Sequence, residues 1–484
     1  MLIVPIARRA CSILGLVSFA VLASAQVTSG ELDQLLKSFL TDAEVPSVQV
    51  AVRRNGRLIY SHAAGTTNLE ANSPATKRSV YEIGSVTKQF TAALCLMLEA
   101  EGKLKLDDRI GDRLPDLPEA WRGITIRQCL THTSGLKDYL AGLFNMRKDY
   151  QPKEIIDLIA KQPLDFPPGS AWSYSNTGYY LAGMILEKIT GKKYSELLNE
   201  RIFTPLGMAQ TRTYSASQII PHRAVGYVIG TKTTTIPELL RESAGYSAGN
   251  IVSTAEDQTK WLEALRTGKI LTADQTKLAW TRTAVGEGRT HAYGLGWFLH
   301  DTWGSHWIEH GGNTFGQSSG NFIFPAEDLV ISIQTNRSGI SVTDLGYRIA
   351  SSLVPSLNMV PVRYSLTDPN PSLTKRLRQA IEDLSLNKAT DADFTSEIMG
   401  LARTARGRMA NAAGRGATGR LLRLRYVTEE AGQGVTRLFY DATYDKLQIG
   451  MAIEVTPDGR IANVSGSPLA LSKEVVKQRK LRTP

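Results

Sequence analysis

Ser85 and Lys88 stand three residues apart where a helical pattern begins. Side chains at that spacing share one helix face, so the Lys88 amine can reach the Ser85 hydroxyl. A serine hydroxyl needs such a base to become a nucleophile. The helix N-terminus favours the negative charge that then develops. Tyr174-Ser175-Asn176 follows Pro167-Pro168-Gly169-Ser170. In an extended segment Tyr174 and Asn176 point the same way and can face one cleft. A phenol beside ammonium groups gives up its proton more readily, so Tyr174 can relay protons to and from Ser85. His310-Gly311-Gly312-Asn313 ends a strand-like stretch. Its glycines let a substrate backbone come close. The backbone N–H groups of Asn313 and Ser85 can then form an oxyanion hole. Each stretch alone also fits a plainer role: a solvated helix start, a structural tyrosine, a bulge before a turn.

Their order narrows the choice. Ser-x-x-Lys, then Tyr-x-Asn, then a basic residue before glycine resembles the three motifs of the penicillin-binding-protein and serine β-lactamase superfamily. The second and third motifs look most like the class C β-lactamase branch, which also holds esterases, DD-peptidases and D-aminopeptidases. The stretches Leu130 to Leu136, Pro167 to Gly183, Phe203 to Met208, Gly249 to Asp257 and Tyr293 to Trp297 match it too, over roughly residues 30 to 355. The resemblance implies Ser85 as the acylated nucleophile, with Lys88 and Tyr174 sharing general-base and general-acid work. It implies Asn176, His310, Gly312 and Gln89 as substrate-binding residues, Asn176 alternatively holding Lys88. Asn250 is expected to line the cleft as well. One departure stands out: typical β-lactamases carry Lys-Thr-Gly where this chain has His310-Gly311-Gly312. A histidine is mostly neutral at neutral pH and grips a substrate carboxylate less well than a lysine. The expected enzyme is therefore a serine hydrolase cleaving an amide or ester, esterase-like or D-aminopeptidase-like rather than an efficient β-lactamase. A β-lactamase or a penicillin-binding DD-carboxypeptidase is the alternative. A non-catalytic peptidoglycan-binding or sensor protein of the same fold is the rival from another class.

These residues need elements to hold them. Val48 to Val52, Asn55-Gly56 and Leu58 to Tyr60 read as a hairpin. Val86 to Leu104 reads as a helix with Phe90, Leu94, Met97 and Leu98 on one side. Helix patterns then dominate to about residue 240. Strand signals return at Tyr293 to His300, Ser305 to His310, Asn321 to Phe324 and Leu329 to Gln334, and Leu345 to Leu353 reads as a closing helix. Strands at both ends with helices between them predict an α/β unit: an antiparallel sheet flanked by helices, plus an inserted helical lobe. Pro361, Pro369 and Pro371 then mark a linker. Beyond it, helices near 372–384 and 392–408 precede strands at Arg420 to Val427, Thr436 to Tyr440, Leu447 to Val455 and Arg460 to Val464. That predicts a small α+β domain with an antiparallel sheet. The boundaries are residues 1–25, 26–360 and 361–484.

The 484 residues are 42% hydrophobic and 21% charged, a globular composition that excludes a disordered, collagen-like or multi-span membrane chain. Arg8-Arg9, the apolar run Ile13 to Leu22 and Ala23-Ser24-Ala25 read as a signal peptide cleaved before Gln26. The protein is then expected to be exported, periplasmic or extracellular. Cys11 precedes the apolar run, where a lipid-attachment cysteine is not expected. Cys95 and Cys129 are either buried small hydrophobes or one disulfide. No cofactor or metal is expected. His306 and His310 are four apart in a strand-like stretch, too far for one ion. Much of the net charge of +10 lies beyond residue 360, with Arg403, Arg406, Arg408, Arg415, Arg420, Arg423 and Arg425 in a run without acids. That run is a solvated face or a contact for an anionic envelope surface. Nucleic acid is not expected, because no aromatic stacking pattern accompanies the arginines. The expected partner is a small-molecule or peptide substrate.

Overall fold

The structure is a computed structural model. It describes residues 28–468 apart from 141–144, 146–147, 216, 230–232, 239–240, 287–288, 303–304, 355–356, 358–367, 404–407, 409–410, 412–414, 417–418, 432–434 and 446–447. The expected signal peptide and most of the expected linker lie outside these residues.

A seven-stranded antiparallel sheet is the spine. Its first strands are β1 (Ser47–Arg54), β2 (Arg57–Asn68) and β3 (Ser73–Pro74). The β1–β2 turn is Asn55-Gly56, both at positive φ, as a tight right-twisted hairpin requires. Two short strands, β4 (Tyr81–Glu82) and β5 (Arg212–Thr213), flank β6 (Ile251–Ser253) in a separate small sheet. The main sheet is completed by β7 (Phe298–Thr302), β8 (Ser305–Asn313), β9 (Ser318–Phe324) and β10 (Leu329–Thr335). The order is β7-β8-β9-β10-β1-β2-β3, so the two ends of this unit meet at the centre, where Val50 faces Ile333. The stretch from Tyr293 to Trp297, expected to be strand, precedes β7 and meets it through a Tyr293–Phe298 bridge.

Both sheet faces are buried, in keeping with side-chain alternation. Phe322, Phe324, Leu329 and Ile331 pack with α1 (Ser29–Asp42), through Leu32, Leu36 and Phe39. Ile323 and Val330, between them in sequence, join the other core. That core holds α2 (Thr87–Ala100), α3 (Ile126–Leu130), α4 (Asn176–Thr190), α5 (Glu242–Gly249) and α6 (Ala255–Arg266). The closing helix α7 (Thr343–Leu353) adds Leu345 and Ile349 to the α1 side. The sequence reading overlooked α1, although Thr28 and Glu31 form a capping box at its start.

A third core lies wholly within Leu377 to Ile461. It sits between α8 (Pro371–Ser385), α9 (Ser396–Ala402) and a four-stranded antiparallel sheet of β11 (Leu421–Ala431), β12 (Thr436–Tyr444), β13 (Gln448–Val455) and β14 (Ile461–Pro468). The arginine run is partly neutralised: Arg403 pairs with Asp391, Arg415 with Glu382 and Arg420 with Asp445. The Trp172 backbone N–H donates to the Glu397 carboxylate of α9 at 3.3 Å, tying this part to the rest.

Candidate active site

Ser85 sits in a single 3₁₀ turn, Gly84–Val86, between β4 and α2. The turn is anchored on both flanks. The Ile83 N–H donates to the Ile251 carbonyl at 3.0 Å, and the Ile83 carbonyl accepts from the Ser319 hydroxyl at 2.8 Å. Gly84 has φ +52, and a Cβ there would stand 2.9 Å from the Asn313 nitrogen. A Cβ on Gly312 would stand 1.9 Å from the Ile83 carbonyl oxygen. These two glycines let the end of β8 lie directly on the backbone preceding Ser85. The Asn313 N–H is thereby brought beside the Ser85 turn, where an oxyanion hole needs it.

Lys88 is fully buried on the first turn of α2. Its Nζ donates to the Ser85 hydroxyl at 3.1 Å, to the Asn176 side-chain carbonyl at 2.7 Å and to the Ala248 backbone carbonyl at 2.8 Å. Burial drives its pKa down to about 7, against the opposing pull of the Asp138 carboxylate. As an amine it keeps two donors for Asn176 and Ala248 and turns a lone pair toward Ser85. Lys88 therefore has the geometry of a general base. The Ala248 carbonyl faces inward because α5 is kinked at Tyr246, whose φ of 34° and ψ of −130° lie far from helical values.

Tyr174 lies against the base, with Lys88 Nζ 4.9 Å from its ring centre. His132, at φ +62, holds the tyrosine from both sides. Its carbonyl accepts from the Ser173 N–H at 2.9 Å, and its Nδ1 accepts from the Ser175 N–H at 3.1 Å. The His132 ring is packed among Trp172, Tyr174, Tyr179 and Tyr293. Asn176 opens α4, and its amide NH₂ donates to both oxygens of Asp138 at 3.2 and 3.1 Å. His132 and Asp138 lie in or beside the matching stretch Leu130 to Leu136, yet sequence reasoning gave neither a role. Their partners are set by the tertiary fold, not by spacing.

Three expectations need correction. Gln89 does not reach the cleft. It is buried on the far side of α2, where its carbonyl accepts from Trp261 and Asn321, each at 3.1 Å. The chain changes from 3₁₀ to α geometry between Ser85 and Gln89, so their faces diverge. Asn250 is also buried, and its NH₂ holds the Tyr214 carbonyl at 2.7 Å. His310, expected to contact substrate, is buried among aromatic rings. Its Nδ1 is 2.6 Å from the Gly311 carbonyl and its Nε2 is 3.0 Å from the Tyr293 hydroxyl. Nδ1–H thus donates while Nε2 accepts. Burial, helped by nearby Lys88, lowers its pKa to about 3, so this imidazole carries no charge near neutrality.

The beta-lactamase family matches residues 32–353. The chain belongs to the beta-lactamase family. Penicillin-binding protein 4* of Bacillus subtilis is 31% identical over 270 residues, which is 52% of this chain and 59% of that protein. A D-stereospecific amidohydrolase from Streptomyces sp. superposes with a TM-score of 0.60 at 25% identity, covering 68% of this chain and 99% of that one. An octameric penicillin-binding protein homologue from Pyrococcus abyssi gives 0.60 at 19% identity, with coverage of 91% and 100%. At that identity it shows the fold alone, but its coverage extends past residue 353, where the family match ends. Within the beta-lactamase family the motif residues Ser85, Lys88, Tyr174 and Asn176 stand together here. Cys95 and Cys129 are free and buried, their thiols pushed well up by burial, and they lie outside this constellation.

Proposed function

We propose that this chain is an exported serine hydrolase that forms an acyl-enzyme on Ser85 with esters or amides bearing no carboxylate next to the scissile bond. The observation that carries the substrate half is His310: neutral, buried and turned to Tyr293 at the place where β-lactamases present a lysine. In the first step Lys88 takes the Ser85 proton as Oγ attacks the carbonyl carbon. The Ser85 and Asn313 N–H groups receive the oxyanion. The proton then passes through Lys88 and Tyr174 to the leaving amine or alcohol. Water, activated by the same base, releases the acyl group. The Streptomyces neighbour's name, a D-stereospecific amidohydrolase, makes amides of D configuration a first substrate panel, beside simple aryl esters.

The test is intact mass of the full chain after an alkyl fluorophosphonate and after benzylpenicillin, with Ser85→Ala alongside. One adduct on the wild type and none on Ser85→Ala supports the nucleophile. Equal labelling of both sinks it, and a lack of Ser85-dependent turnover on every ester and amide favours the non-catalytic rival. Benzylpenicillin turnover at about 10⁷ M⁻¹s⁻¹ or more overturns the substrate half.

A further inference from the structure

Asp138 is a buried carboxylate that no motif names. It lies in the loop after α3, and the loop is docked on the first turn of α4. The Thr177 hydroxyl donates to the Lys137 carbonyl at 2.5 Å and accepts from the Tyr139 N–H at 3.2 Å. One Asp138 oxygen also accepts from the Leu140 N–H at 3.1 Å, which fixes its rotamer. Both oxygens take the Asn176 NH₂. An amide side chain has two nearly isosteric ends, and only its partners decide which end faces which way. A carboxylate accepts and does not donate, so it can hold only the NH₂ end.

We infer that Asp138 is a positioning residue for the base: it orients the Asn176 amide so that the carbonyl oxygen meets Lys88. Its negative charge also favours the protonated form of Lys88. The inference rests on the proposed Ser85–Lys88 chemistry. Without Asp138 the amide is free to turn its NH₂ toward an ammonium that is itself only a donor. The contact that aims Nζ at Ser85 would then become a repulsion. The titratable groups facing Lys88 are Tyr174 and Tyr179 from the α4 side, His310 from β8 and Asp138 from the loop. Asp138 is the carboxylate among them, so its removal makes Lys88 a weaker holder of its proton.

The test uses the full chain and an alkyl fluorophosphonate. Ser85 Oγ bonds to phosphorus, fluoride leaves, and the hydroxyl proton passes to Lys88. The labelling rate is followed from about pH 5 to 10, where it reads the protonation of the base. Asp138→Asn keeps the shape, accepts with one oxygen and removes the charge. Its acid limb should move down by about one pH unit. Asp138→Leu removes the acceptor as well, and its rate should fall about 100-fold with the melting temperature followed in parallel. An Asp138→Asn limb at the wild-type position overturns the inference, whether or not the rate is lower. Should that variant fail to fold, Asp138→Glu decides: a wild-type limb supports the role of the charge, and a lowered limb overturns it. Labelling of Ser85→Ala at the wild-type rate would instead sink the proposed function, a result distinguishable from all of these.

Discussion

Lys88 is the residue on which the site turns, because its pKa of about 7 places the proton on either side of the hydrogen bond to Ser85. The sign follows directly. The base works as the free amine, so kcat/KM for an aryl ester should rise as pH increases through about 7 and be lost below it. His310 makes a contrasting case. It is already neutral over that range, so His310→Asn should leave the acid limb in place while costing the Tyr293 hydroxyl its partner. A limb that moves with His310→Asn would show that the imidazole, not the amine, is being titrated. Ser85 with Lys88 and Tyr174 with Asn176 were legible as two local pairs from helix and strand spacing, and the order of the motifs, through the family resemblance, joined the pairs into one site. Asp138 and His132 were not, since each acts across a loop onto the start of α4. Gln89, carried over from the resemblance alone, lies away from the cleft because one 3₁₀ turn shifts the face between Ser85 and α2.

At the scale of elements, the approach of β8 to the Ser85 turn is the tightest constraint. Gly312→Ala would force a methyl group against the Ile83 carbonyl and push Asn313 away from the oxyanion position. Its kcat should fall about 10²–10³-fold, the loss expected when one oxyanion donor is removed. Kinetics of the variant beside its melting curve separates this from unfolding. The sheet's other face gives a purely structural counterpart. Phe322 is fully buried, and its ring fills the space opposite Gly320 and Gly346, where a Cβ would come within 2.8 and 2.7 Å of it. Phe322→Ala should destabilise by about 3–5 kcal/mol, read by denaturant unfolding. The hairpin and the late strands were legible because Asn-Gly turns and period-two alternation are local signals. The stretch from Tyr293 to Trp297 looked like a strand from its apolar residues, yet Tyr293 serves the aromatic packing around His132 and His310 while Trp297 packs against Trp280.

At the scale of the whole molecule, the third core stands apart from the two that flank the main sheet. The part from Leu377 to Ile461 buries its own apolar residues, with the Trp172–Glu397 hydrogen bond as a tie to the hydrolase. Calorimetry should therefore resolve two transitions, with Ser85 labelling lost in only one of them. A single transition carrying both would refute that independence. Arg403, Arg415 and Arg420 already have acidic partners, which favours the solvated-face reading of the arginine run. Retention on anionic vesicles should then vanish at physiological salt.

The central pairing of the sheet also sets a clock. Ser47 meets Asn336 across 289 residues of chain. At about 5–20 residues per second, β1 leaves the ribosome roughly 15–60 s before its neighbour exists. Through that interval Ser85 and Lys88 are already made, but the strand carrying Asn313 is not. A nascent or prematurely ended chain thus holds Ser85 without the Asn313 N–H that the proposed oxyanion hole needs. On the proposed chemistry, hydrolytic power would arrive only with the last strands, and half-built copies would be inactive.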